Sequence, residues 1–212
     1  MSDYSLSALE ILRNPQATMK WYIVPFFLIL LYIITIEFKN KNYNVLLGAA
    51  GLWGMDLFNE LINSIVFHAS GFAPIWGTPD IGGTSFLILI GYNVEISIQF
   101  FIMGVMACHS LPKDKHWKIF GINHRILLVI ILAALSVAVE CFLNYSGLLT
   151  WEYSWWNRGF PWLIFVFGYC TFFAMAFFVH DLEKRKHQFI TLGILYGVNI
   201  SLLVIFGLKG WM

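Results

Sequence analysis

An all-α bundle of membrane-crossing helices is the fold this sequence predicts, and three observations predict it. Of its 212 residues 59% are hydrophobic and only 12% are charged, against roughly 25% charged in a soluble domain. The mean hydropathy of +0.72 leaves more apolar surface than one core of this size can hide from water. The few charges fall in short clusters separated by apolar runs of about 20 residues, the length that crosses a bilayer.

About six crossings are expected in one domain, residues 1–212, near 21–37, 43–67, 83–111, 124–145, 159–181 and 188–208. The first, WYIVPFFLILLYIITIE, is apolar throughout but interrupted by Pro25. The residues before it include Asp3, Glu10, Arg13 and Pro15 and lack the basic start and short apolar core of a cleaved signal peptide, so this span is expected to be retained. The second and third runs exceed one bilayer thickness and are expected to tilt. The fourth begins at His124, the fifth is rich in aromatic residues, and the sixth follows the charge run of Glu183, Lys184, Arg185 and Lys186. That run, with His180 and Asp181, reads as a stop signal.

Nine of the thirteen Lys and Arg lie in the first, third and fifth loops: Lys39, Lys41, Lys113, Lys115, Lys118, Arg125, Lys184, Arg185 and Lys186. The positive-inside rule puts those loops in the cytoplasm and both termini outside, and a bacterial cytoplasmic membrane is the expected location. The opposite loops, 68–82 and 146–162, are rich in Gly, Pro and Trp, which suits ordered turns at the interface or an aromatic belt. A net charge of +1 excludes a nucleic-acid partner, because phosphate binding needs a concentrated basic surface. Cys108, Cys141 and Cys170 show no ligand spacing and read as small core hydrophobes. The six His lie near helix ends; no histidine box, metal or other cofactor is expected.

Four acids fall at membrane depth: Asp56 and Glu60 in the second helix, Glu95 in the third, Glu140 in the fourth. Each costs roughly 2.5 to 3.5 kcal/mol near the bilayer centre if it faces lipid, so all four are expected to face the bundle interior. Asp56, Glu60 and Asn63 share one helical face; Tyr92, Glu95 and Gln99 share another; Ser136, Glu140 and Asn144 form a third stripe. Alternating helix directions bring Glu60, Glu95 and Glu140 to similar depth, where one pocket holds all three. Tyr169, Tyr196 and Asn199 complete its wall, with Trp53, Tyr92 and Trp162 as further aromatic faces. No Lys or Arg is expected beside them. Desolvation and mutual repulsion then favour a neutral acid, which is a proton donor in an apolar pocket.

The order of these features resembles the EXPERA group, the emopamil-binding sterol isomerases and their relatives. Asp56 with Glu60, then Glu95, then Glu140, then an aromatic helix ending at Asp181 occupy the corresponding places, over about 140 residues from Tyr43 to Lys186. Asp56 stands where those isomerases carry a His, and the sixth helix is additional. The chain is also similar in size and buried acids to fungal integral membrane terpene cyclases. Both resemblances imply proton-initiated carbocation chemistry on an isoprenoid or sterol-like lipid, with Glu60 or Glu95 as acid, the other as base or cation stabiliser, and Glu140 and Asp56 as tuning partners. Two other classes remain open: a proton- or cation-coupled transporter, and a non-catalytic protein that binds a hydrophobic small molecule or lipid.

Overall fold

The computed structural model describes residues 1–14, 20–78 and 86–212. The described residues form seven helices: α1 (Asp3–Ile11), α2 (Ile23–Lys39), α3 (Tyr43–Ser70), α4 (Val94–His109), α5 (His124–Tyr145), α6 (Ile164–Asp181) and α7 (Arg185–Gly207). Two small antiparallel hairpins join them: β1 (Leu87–Leu89) with β2 (Tyr92–Asn93), and β3 (Lys118–Ile119) with β4 (Ile122–Asn123). Helices α3, α5, α6 and α7 are long and apolar enough to cross a membrane. Helix α2 has 17 residues and α4 has 16, so four helices among the described residues have full crossing length, against the about six crossings expected. The all-α membrane class stands.

Helix α3 is the central post, packed by α4, α6 and α7. Helices cannot be driven together by hydrophobicity inside lipid, so close approach through small residues replaces it. Gly104 of α4 illustrates this: a Cβ there would sit 2.7 Å from the Cα of Ala49. Side-chain amides supply the other glue. Asn199 Nδ2 donates to the Gly54 carbonyl at 2.8 Å, and the Tyr196 hydroxyl donates to the Ala50 carbonyl at 2.9 Å, tying α7 to α3. The outer faces of α5 and α7 carry exposed Ile, Leu, Val and Phe, as lipid contact requires.

One end of the bundle is ionic. There His109 Nε2 lies 2.8 Å from Glu37, and Arg125 Nε donates to Asp181 Oδ2 at 2.9 Å. Asp181 also bonds His180, and its carbonyl accepts from Lys115. Asp181 at the head of the charge run therefore ties α6 to α5. At the opposite end Ser2 N donates to the Phe72 carbonyl and Trp211 stacks on His68, so both chain ends pack there. Gly77 and Thr150 pair at the same end and join the two Trp-rich loops; residues 79–82 of the first of these loops lie outside the described residues.

The third expected helix, 83–111, differs most. Residues 83–85 lie outside the described residues, 87–93 form a hairpin, and the helix starts at Val94. Gly91 lies in the turn, and Asn93 Oδ1 accepts from Ile96 N at 2.8 Å, a side-chain cap that stabilises a helix start at that point. The same Gly-x-Asn signal recurs at Gly121, Ile122 and Asn123, where Asn123 Oδ1 accepts from Arg125 N and opens α5. Helix α1 was not anticipated; Ser2 caps it through Ser5 N, and Ala8 packs with Phe67, Leu87 and Ile90.

Gly104→Val is expected to lower the apparent melting temperature in detergent by several degrees, because overpacking against the Ala49 backbone costs about 1–3 kcal/mol. Gly197→Ala, whose Cβ meets nothing within 4 Å, is expected to leave it unchanged.

Candidate functional site

The polar stripe of α3 supplies the centre of the site. Asp56, Glu60 and Asn63 are all buried, and each needs a partner inside the protein because lipid offers none. Asn63 finds two. Its Oδ1 accepts from Ile75 N at 2.7 Å and its Nδ2 donates to the Trp76 carbonyl at 2.8 Å. The loop after α3 is thereby folded back over the helix. Gly91 of the hairpin crowds the same spot, where a Cβ would lie 2.5 Å from Asn63 Nδ2 and 2.8 Å from the Trp76 carbonyl.

Once the loop is fixed, Trp76 Nε1 donates to Glu60 Oε1 at 2.8 Å. Asp56 is hydrogen-bonded by Tyr92, whose hydroxyl in turn accepts from Trp53 Nε1 at 3.0 Å. Across the gap, the Tyr169 hydroxyl donates to Glu140 Oε1 at 2.9 Å. Tyr169 belongs to a π-helical stretch, Ile164–Cys170, at the start of α6. Such wide turns break the facing of an α-helix and recur at functional sites. The Phe167 carbonyl within it accepts from Asn59 Nδ2 at 3.2 Å.

Asp56 Oδ2 and Glu60 Oε2 are buried with no hydrogen-bond partner among the described residues. Native structures seldom leave such oxygens unpaired without a functional cause or an occupant. A cavity of about 280 Å³ lies beside them, walled by Glu60, Trp76, Gln99, Phe100, Glu140 and Tyr169 among others. A small recess of about 30 Å³ shares Glu60, Glu140 and Tyr169 and adds Asp56, Trp156 and Phe172. Among the described residues, no Lys or Arg lines either. Aromatic rings close around the acids: Trp76 and Trp156 lie 5.5 Å apart, and Phe100 stacks on Tyr169 at 6.1 Å.

The structure thus brings together Asp56, Glu60, Glu140, Tyr92, Tyr169 and Gln99, with Asn63 and Trp53 behind them. It does not bring Glu95 there. Glu95 accepts a hydrogen bond from the Tyr22 hydroxyl at the head of α2 and lines neither cavity. The late start of α4 is the reason, since it places Glu95 in the first helical turn rather than at mid-span. Trp162 stands exposed against Phe165. Asn144 donates to the Leu149 carbonyl and closes its own loop. Tyr196 and Asn199 hold α7 to α3 and do not line the cavities. Sequence reading missed Trp76, Trp156 and Phe100 as site residues. Trp76 carried a signal, an indole in a Gly/Pro loop that follows the acidic helix directly.

The family model matching residues 2–208 is that of an uncharacterized membrane protein family. An uncharacterized protein of Archaeoglobus fulgidus is 44% identical over 206 residues, covering 97% of this chain and 96% of its own length. A second uncharacterized protein of that organism is 40% identical over 53 residues, 24% of this chain and 95% of its own. No solved structure matches. Neither the EXPERA group nor a terpene cyclase family is found, which overturns the resemblance drawn from the acids. Their spacings are too short a pattern to carry descent, because any polar stripe on an apolar helix repeats at three or four residues.

Asn63→Leu is expected to destabilise the protein strongly, since each buried donor or acceptor left unpaired costs about 1–3 kcal/mol. Asn59→Leu removes one more exposed bond and is expected to shift the melting temperature less; comparing the two in detergent checks the role of the loop anchor.

Proposed function

We propose that this chain, which belongs to the uncharacterized membrane protein family, is a membrane-embedded acid–base catalyst that moves protons on an unsaturated hydrophobic lipid. One observation carries the reading: a Glu60 oxygen unpaired among the described residues, in the wall of an aromatic cavity that Glu140 shares, with Asp56 in the small recess behind and no Lys or Arg of the described residues lining either. Three anions so placed repel one another in a poorly solvated site, so the cluster holds at least one proton.

Glu60 is the acid. Its Oε1 is occupied by Trp76, which leaves Oε2 as the position for the transferable proton. That O–H bond breaks as a C–H bond forms at one alkene carbon, and the neighbouring carbon becomes a cation. The faces of Trp76, Phe100 and Trp156 and the Glu140 carboxylate stabilise it. A carboxylate, Glu140 or the Glu60 anion, then removes a different proton and restores a double bond, moved along the chain or left after ring closure. Transfer within the cluster returns the site to its starting state. Positioned acid–base groups of this kind contribute about 10² to 10⁴ in rate. Asp56, backed by Tyr92 and Trp53, sets the charge behind Glu60.

A second reading rests on the same cage. Rings and carboxylates around the larger cavity also suit a hydrophobic ammonium ion, which makes carriage of cationic amines the alternative. The basic end of the bundle is assigned to the cytoplasm by its Lys and Arg, with both termini outside. The membrane is taken as a prokaryotic cytoplasmic one, although a bacterial source finds no support from relatives that are archaeal.

Glu60→Gln keeps an oxygen to accept from Trp76 and removes the acid. Purified wild-type protein incubated in deuterated water with a lipid extract from cells lacking it is expected to place deuterium at carbon in one unsaturated lipid, read by mass spectrometry, and the Glu60→Gln and Glu140→Gln proteins are not. Identical lipid labelling with all three would remove the enzyme reading. Uptake of a hydrophobic amine by wild-type proteoliposomes, lost in Glu60→Gln, would establish the carrier instead.

A further inference from the structure

A second cavity, of about 380 Å³, opens at the ionic end of the bundle, far along the chain from the acid site in every helix that builds it. Its wall includes Asn42, His109, Lys113, Lys115, Arg125, His180 and Asp181. Three permanent cations and the Asp181 carboxylate line it, while the Glu37 carboxylate stands behind the wall, bonded to Asn42 and His109; the lining is left with a positive excess on the Lys113 and Lys115 side. Arg125 is spent on structure, donating to Asp181 and to the Asp114 and Pro112 carbonyls. Lys115 Nζ reaches the Asp181 carbonyl at 2.6 Å, an uncharged group that leaves its charge uncompensated. Lys113 makes no hydrogen bond or ion pair among the described residues, although it sits in the same wall.

A groove of about 430 Å³ continues from this cavity along the lipid-facing seam of α5 and α6. It shares Arg125 and Asp181 with the cavity and is otherwise apolar: Ile126, Val129, Ala174, Phe177, Phe178 and Leu182. A polar basic cup joined to an apolar furrow has the shape and charge of one kind of occupant. We propose that this composite site seats an anionic phospholipid, its phosphate between Lys113 and Lys115 and one of its chains along Val129, Ala174 and Phe178. A free phosphate fills only the cup, and a zwitterionic lipid brings its own cation into an already positive site. Basic pockets between helices on the positively charged side of membrane proteins are a known place for acidic headgroups. The occupant would also bridge the α4–α5 connection to the end of α6, adding to the Arg125–Asp181 tie.

The test uses the full-length protein in a neutral detergent, with binding read from the rise in apparent melting temperature on titration. Phosphatidylglycerol is expected to raise it by several degrees; phosphatidylcholine and inorganic phosphate, at the same concentrations, are not. Lys113→Ala with Lys115→Ala is expected to weaken the phosphatidylglycerol response about thirtyfold, from about 1 kcal/mol per basic residue near the headgroup. Ala174→Trp blocks the furrow from an exposed position and is expected to remove the response while leaving the lipid-free melting temperature in place. An equal response to phosphatidylcholine or to inorganic phosphate would overturn the proposal, as would an undiminished response in the double lysine variant or in Ala174→Trp.

Discussion

A polar atom buried in a lipid-embedded protein has only the protein itself to bond, and the central helix α3 carries three such side chains in a row. Asn63 answers that demand by capturing the backbone of Ile75 and Trp76, and much of the site follows from this capture. The folded-back loop delivers an indole to Glu60, the indole becomes a wall of the cavity, and the wall keeps the acid away from water. Without Asn63 the loop has no comparable hold on the helix. The interaction is therefore both a stability element and the device that shapes the site.

Acids in this molecule divide by the company they keep. Glu37 and Asp181, at the ionic end, are met by His109, Arg125 and His180, and these contacts clamp α2 to α4 and α5 to α6. Among the described residues, Asp56, Glu60 and Glu140 are met by neutral donors: Tyr92, Trp76 and Tyr169. Asp181 is held charged by the Arg125 guanidinium, whereas a carboxyl group held by a phenol or an indole can exist in either protonation state without losing its partner. The bundle thus keeps its ion-paired acids at one end and its acids with neutral partners within the helices. Arg125 joins the first group to the basic cavity, so the same ion pair that closes the α5–α6 seam also forms the rim of a headgroup site.

Much of this plan was legible in the residues. Helix α5 occupies 124–145 as expected, because a long apolar run bounded by an Asn cap and a Ser-Gly pair leaves one placement. The acids of α3 and α5 face inward as their spacing required, since no other orientation avoids the cost of lipid. Glu95 was misplaced for an equally local reason. The run 83–111 is apolar from end to end and reads as one helix, and only the Gly91 turn with the Asn93 cap divides it. Trp76 and Trp156 were visible as interfacial tryptophans, yet no periodicity links a loop indole to an acid sixteen residues earlier.

What the residues determined by themselves were the solvent, the class of fold and the set of acids that had to be hidden, because hydropathy and helical period are properties of short stretches of chain. Which of those acids meet was decided only by the tertiary structure. That choice depends on a hairpin shifting the start of α4, a π turn facing Tyr169 toward Glu140, and a loop held down by Asn63. The first is local but hidden inside a uniformly apolar run, and the other two act through hydrogen bonds across 12 to 29 residues whose partners no helical or strand period names.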